Sequence, residues 1–483
     1  MAETLPSTLP PPTSLTTPHS TTTDVDAPIS EKLVEAVIPE PVKKSWASLV
    51  KPKDDGKSQT PAAAAGAPNM MAFVETSEEM EKRKAMRKFE RLGEIIFSRN
   101  LLDRKLDHRT VYLVPRGMIN MGNTCYMNAV LQTLVFCPPF FHLLEALNVY
   151  SDTVDRPAAE LPPIVDCFVQ LVQSFRRIPN TGAKGANLRT EDPPLDPSFV
   201  YETFEEHATG AHKQMLSRGT QEDAQESLNH ILLLLHEEMV KAMAALTDNP
   251  NSQFNRNGGG RNSGDEWTSI SKGQKKSTLR ECEEKESPLT YVFGGRLRSV
   301  RRHKGARDAE NVEPFFMLDL PIQDPRVTNV FQAIERFMGI ETLHGFQDRG
   351  RAVDAHRQYR FEELPAVLII HLKYFEYTST GGNAKLQKDI TFEPTLRLPE
   401  RWFADRHYNK SKSMYRLVSV IFHYGEGTDG GHYTACLFHP SSQTGWIEAN
   451  DSTISVVSFD YMKQQQYHRV PYLLFYRLQE ERL

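Results

Sequence analysis

NMGNTCYMNAVLQTL, residues 120–134, governs how the rest of the chain is read. Cys125 follows Gly122, Asn123 and Thr124. It opens a segment in which Val130, Leu131, Leu134 and Val135 recur at helical spacing. A thiol at that junction has two readings. Cysteine is among the most often buried residues, so a small core residue at a tight helix start is the plain one. The other is a nucleophile, because the positive end of a helix stabilises a thiolate. Asn120, in the loop upstream, carries an amide that can donate to a developing oxyanion. More distant parts of the chain have to decide between the two.

Two other stretches are dense in reactive groups. RGTQEDAQESLNHILLLLHEEM, residues 218–239, places Leu228, Ile231, Leu232, Leu235 and Met239 on the buried face of a helix. Thr220 and Asp223 make a capping-box pattern at its start, and Glu222 and Glu226 add charge to the first turn. On spacing alone these acids serve the helix dipole. The second stretch is HYGEGTDGGHYTACLF, residues 423–438. A Gly-rich loop ends at Gly430 and Gly431, which let a backbone pass closely, and His432 then starts a strand. Asn450 and Asp451 follow Trp446 on the next strand, where an amide or carboxylate can fix the tautomer and orientation of an imidazole. A helix-start thiol, a strand-end His and a downstream Asn fit the Cys–His–Asn arrangement of nucleophilic catalysis.

The whole chain sets the frame. It has 483 residues, 39% of them apolar, enough for one large domain or two ordinary ones with tails. A net charge of −5 excludes the uniformly basic character of a general nucleic-acid binder. The five cysteines (Cys125, Cys137, Cys167, Cys282 and Cys436) are odd in number and widely spaced, which suits a reducing compartment, cytosolic or nuclear. No CxxC pair occurs, so no structural metal is expected. Aliphatic runs such as Ile231–Leu235 are far too short to span a bilayer, and the first residues lack the pattern of a signal peptide. A soluble protein with no membrane partner is expected.

Composition divides the chain. The first 68 residues hold 11 of the 31 prolines and one aromatic, Trp46, so residues 1–77 read as a disordered tail. Within it KSWASLV, residues 44–50, has the look of a short docking motif for a protein partner. Residues 78–112 read as a charged helical lead-in, with Met86, Phe89, Leu92 and Ile96 on one face packing on the next domain. The main domain is expected over 113–480, with a flexible Asn/Gly/Ser-rich insertion at about 248–287. Beyond the insertion, residues 366–375, 415–424, 432–438 and 472–478 read as strands. Helices in front and strands behind argue for an α+β fold.

These motifs resemble those of the ubiquitin-specific proteases. GMINMGNTCYMNAVLQTL resembles their cysteine box and QEDAQESLNHIL their second box. LPAVLIIHLKYF and YRLVSVIFHYGEGTDGGHYTACLF, with the downstream W and NDS, resemble their core strand and histidine box. The order agrees over Leu113 to Leu478, some three-quarters of the chain. The resemblance implies a papain-like α+β domain with thumb, palm and fingers, a disordered tail before it, and no cofactor. It implies cleavage after the last glycine of ubiquitin, with ubiquitin and ubiquitylated proteins as partners. Cys125 would be the nucleophile, His432 the base, Asn450 its orienting residue and Asn120 the oxyanion donor. Asp223 and Glu226 would grip ubiquitin's basic tail, with Gln221, Gly430, Gly431 and Tyr433 along its passage. Many members have Asp where this chain has Asn450, so Asp451 is expected to assist. Ser227 stands where a large apolar residue is usual. The rival readings are a ubiquitin-binding scaffold that has lost catalysis, or an adaptor working through its tail. The intact Cys125 and His432 speak against both.

Overall fold

The computed structural model describes residues 76–103, 109–150, 160–178, 192–216, 219, 221–247, 268–272, 275–281, 285–348, 350–377, 383–404, 407–426, 430–464 and 468–479. All lie within one compact unit, Ser45–Leu483. The Trp46 motif and nearly all of the 1–77 tail fall outside them.

The front of the described chain is helical: α1 (Ser77–Ser98), α2 (Cys125–Val135), α3 (Pro138–Leu147), α4 (Pro163–Gln173), α5 (Ser198–His207), α6 (Gly210–Met215) and α7 (Ala224–Thr247). The lead-in helix α1 starts at a capping box between Thr76 and Glu79 and packs on α7, burying Leu92, Ile95 and Ile96. It stops at Ser98, short of the expected 112, and Met86 stays 53% exposed. All eleven residues of α2 are buried, the polar Asn128, Gln132 and Thr133 included, so no face of this helix meets water.

Strands then take over. β1 (Thr268–Lys272) and β2 (Lys275–Glu281) precede α8 (Pro288–Phe293). Next come β3 (Gly295–His303), β4 (Asp308–Phe315), β5 (Met317–Pro321), α9 (Val330–Met338), β6 (Ile340–Asp348) and β7 (Arg351–Glu363). The chain continues through β8 (Val367–Lys373), β9 (Phe375–Tyr377), β10 (Asn383–Lys385), β11 (Thr395–Arg397) and β12 (Met414–Tyr424). It ends with β13 (His432–Phe438), β14 (Trp446–Asn450), β15 (Thr453–Val457), α10 (Phe459–Lys463) and β16 (Arg469–Leu478). Helices and strands are segregated, as the α+β reading expects. The segment read as a flexible insertion departs from its expectation: its described part carries β1 and β2, which pair with each other and join β4.

Two larger sheets form. One has the order β1-β2-β4-β3-β7-β6. The other runs β15-β14-β13-β12-β16-β8-β5, with β11 on the side of β12. β8 and β16 are buried along almost their whole length, which explains their largely apolar sequences. The buried helix α2 packs on β12, β13 and β14. That contact brings the cysteine end of a helix to the histidine end of a sheet.

Candidate active site

Local hydrogen bonding turns the loop into α2. Asn120 Oδ1 accepts from the Gly122 N–H at 3.0 Å and from the N–H and hydroxyl of Thr124, both at 3.1 Å. This knot needs left-handed backbone at Gly122 (φ 92°) and Asn123 (φ 58°), the two residue types that adopt it most readily. Cys125 emerges as the first residue of α2 and is 3% exposed.

Sheet register supplies the partners. His432 pairs with Tyr424 across β12–β13, and Ala435 pairs with Ala449 across β13–β14. Asn450 therefore lies diagonally across from His432 on the same face. His432 Nε2 donates to Asn450 Oδ1 at 2.7 Å, which leaves Nδ1 for the thiol. Cys125 hydrogen-bonds to His432, and chiefly for that reason the imidazole pKa is pushed up to about 9. Burial opposes the rise; the Asn450 bond and the Asp451 charge reinforce it. The structure thus brings Cys125, His432 and Asn450 into one line.

Asp451 reaches His432 through its charge and makes its own hydrogen bonds elsewhere. It does not share Asn450's hydrogen bond to the imidazole. One carboxylate oxygen accepts from Asn120 Nδ2 at 2.9 Å, the other from Asn128 Nδ2 at 2.8 Å. Its backbone carbonyl accepts from the Met118 N–H at 2.8 Å, docking the cysteine loop on the β14–β15 turn. Asp451 thus acts on His432 by charge alone and on Asn120 by contact. Asn120 keeps its second amide N–H without a protein partner among the described residues. Asn128, one turn into α2 and unremarkable in sequence, belongs to the site through Asp451.

The acids beside α7 separate into two kinds. Asp223 is a helix cap: Oδ1 accepts from Gln225 N–H at 2.7 Å and Glu226 N–H at 3.3 Å, and Oδ2 accepts from the Tyr472 hydroxyl. Glu226 is exposed, and among the described residues nothing pairs with its carboxylate. Its pKa is raised, first by desolvation and then by the charges of Asp223 and Glu222. Thr220, the expected cap, lies outside the described residues. Gln221 Nε2 donates to the Gly431 carbonyl, so the α7 approach touches the histidine loop. Tyr433 is buried at 5% exposure, against His423 and Tyr472, and takes a backbone hydrogen bond from Ala224. Ser227 is fully buried in the helix's core face. Among the described residues no three His, Cys, Asp or Glu side chains are grouped to hold a metal ion.

A profile of the ubiquitin carboxyl-terminal hydrolases matches residues 116–476. The chain belongs to this family. It is 34% identical over 396 residues to ubiquitin carboxyl-terminal hydrolase 10 of Rattus norvegicus, covering 77% of this chain and 49% of that protein. It is 32% identical over 464 residues to ubiquitin carboxyl-terminal hydrolase 10-A of Xenopus laevis, covering 90% and 57%. A probable ubiquitin carboxyl-terminal hydrolase 3 of Schizosaccharomyces pombe is 33% identical over 390 residues, covering 75% and 74%. The chain thus spans about half the length of the first two relatives. Among solved structures, a SAGA DUB module bound to ubiquitin aldehyde has a TM-score of 0.51 at 23% identity, covering 76% of this chain and 70% of that one. That likeness speaks to the fold, which is the ubiquitin-specific protease architecture the motifs implied.

Proposed function

We propose that this chain is a deubiquitinase, a thiol hydrolase that cleaves the isopeptide or peptide bond after the C-terminal glycine of ubiquitin. The observation that carries the reading is the line Cys125–His432–Asn450, with Asn120 bonded to Thr124, the residue before the thiol. The Cys125 thiolate attacks the glycine carbonyl carbon, and the C=O electron pair moves to oxygen. The second Asn120 N–H and the backbone N–H groups at the start of α2 receive that oxyanion. Collapse breaks the C–N bond while His432 gives its proton to the departing amine. Water, deprotonated by His432, then attacks the thioester and returns the thiol. A histidine that holds its proton up to about pH 9 is suited to the acid half of this cycle. Glu226 offers an unpaired carboxylate to the basic tail of ubiquitin.

The odd number and wide spacing of the five cysteines support work in a reducing compartment, cytosolic or nuclear. Residues 1–77, with Trp46, are proposed to dock a protein partner and to be dispensable for the chemistry. The test is hydrolysis of a ubiquitin C-terminal fluorophore amide. The wild-type chain and a version starting near residue 76 should turn over equally. Turnover surviving Cys125→Ala would dismiss the reading.

A further inference from the structure

Behind His432 sits a lysine that no step above uses. Lys385 closes β10 and is 8% exposed. Its Nζ lies 2.9 Å from His423 Nδ1, 2.6 Å from the Gly425 carbonyl and 3.4 Å from the His468 carbonyl. Among the described residues no carboxylate pairs with it; Glu426, which follows Gly425, instead meets His468 Nε2 at 2.8 Å. Desolvation pushes the Lys385 pKa down to about 8 and that of His423 down to about 3, so the imidazole is a neutral acceptor for the ammonium. A buried ammonium without a counter-ion is expensive, and an apolar side chain would fill the space at lower cost. Such a group is retained where its geometry is used.

That geometry converges on the two ends of the turn between β12 and β13. Gly425 leaves β12 and Gly431 enters β13, and the two are so close that a Cβ on Gly425 would sit 3.3 Å from Gly431 Cα. Lys385 holds the Gly425 carbonyl. His423, oriented by Lys385 through Nδ1, presents Nε2 to Gly431: a Cβ there would come within 2.2 Å of it and within 2.5 Å of the Tyr424 carbonyl. Gly431 is thus clamped between His423 on one side and Gln221, which donates to its carbonyl, on the other. The next residue is His432.

We propose that Lys385 and His423 are positioning residues, which fix both ends of this turn and thereby hold the His432 imidazole against Cys125. The proposal rests on the hydrolase reading. A misplacement of about 1 Å in a reacting group lowers rate by about a hundredfold, so a loosened turn should be read mainly in kcat.

The experiment compares Lys385→Met, His423→Asn and His423→Leu with the wild type. The amide oxygen of Asn keeps an acceptor near the Nδ1 position; Leu keeps only bulk. Two readouts are taken: kcat and KM on a ubiquitin C-terminal fluorophore amide, and the NMR titration midpoint of the His432 ring in the full chain. Lys385→Met and His423→Leu should lower kcat about tenfold or more, with KM within about threefold. Both should move the His432 midpoint from about 9 toward the 6.5 of a free imidazole. His423→Asn should recover part of both effects. Variants that melt earlier but leave kcat and the midpoint unchanged overturn the proposal, as does equal damage from Asn and Leu. If Lys385→Met does not fold, the Asn–Leu comparison decides alone. A wild type that fails to turn over ubiquitin substrates defeats the hydrolase reading, while the His432 midpoint still judges the clamp.

Discussion

Replacing Asp451 with Asn should disable Asn120 more than it disables His432. Asp451 sits at φ 47°, which Asn tolerates, so the turn itself is kept. The carboxylate accepts from two amides at once, Asn120 at 2.9 Å and Asn128 at 2.8 Å. An Asn side chain has one oxygen and one NH2, so one of these contacts becomes donor against donor. The loss is one charge-assisted hydrogen bond, about 1.5–3 kcal/mol, and its effect on rate is capped at that size. With 1.36 kcal/mol per factor of ten, Asp451→Asn should lower kcat by about 10–100-fold. Asn120→Ala, which removes the oxyanion donor outright, should lower it by about 10²–10³-fold. The double-mutant cycle is the discriminating assay, with kcat measured on a ubiquitin C-terminal amide. If Asp451 acts through Asn120, adding Asp451→Asn to Asn120→Ala should lower kcat by no more than about threefold, a coupling of roughly 1–2 kcal/mol. The remainder reports the Asp451 charge on His432, the smallest named contribution to that group's shift. Fully additive losses would refute the assignment of Asp451 to the oxyanion donor.

Other consequences follow from the same geometry. Because His432 stays protonated up to about pH 9 and must give a proton to the leaving amine, kcat/KM should fall as pH rises through that value. Asn450→Ala, which removes a bond that raises this pKa, should bring the alkaline limb to lower pH; an unmoved limb counts against the assignment. Glu226→Ala should weaken ubiquitin binding to the Cys125→Ala protein by about 10–100-fold in calorimetry, the size of one charge-assisted bond. Asp223→Ala should mainly lower the melting temperature, by a cap's worth of about 0.5–2 kcal/mol; the opposite pattern would exchange their roles. Glu238, buried and accepting from Ile164 N–H at 3.1 Å and Val165 N–H at 2.8 Å, has its pKa raised to about 7 by desolvation. A raised folded pKa means stability present at low pH and lost as pH rises through it, so denaturant melts should show the wild type's advantage over Glu238→Gln shrinking between about pH 4.5 and 7. A constant gap would contradict this.

The meeting of Cys125, His432 and Asn450 is legible because each stands at an element boundary that sequence marks well. Cys125 follows a Gly-Asn turn, His432 follows Gly-Gly, and Asn450 ends a short apolar strand. The central strands are legible because burial on both faces leaves apolar runs such as Val367–Ile370. The sheet containing β3, β4, β6 and β7 is not. Its strands are largely half-exposed and carry Arg298, Arg301, Arg302 and Arg357, so the apolar periodicity that betrays a strand is diluted by charge. The partner of Arg298, Glu362, lies 64 positions away, and spacing cannot announce such a pair. The hydrogen-bond partners of Asp451 and Asp223 are not legible, for one reason: composition tells that a carboxylate is near, and only register tells which donors reach it. Asn128 and Lys385 gave no local signal, since each works through a residue distant in sequence.

The most direct measurement is covalent. Ubiquitin carrying a C-terminal electrophile is incubated with the wild-type chain and with Cys125→Ala, and the adduct is located by peptide mapping. A single adduct on Cys125, absent from Cys125→Ala and much slowed in His432→Ala, is the expected result. Cys137 and Cys436 have their thiol pKa values raised by full burial, and they should stay unmodified. An adduct on either of them, or one that persists without Cys125, would contradict the account.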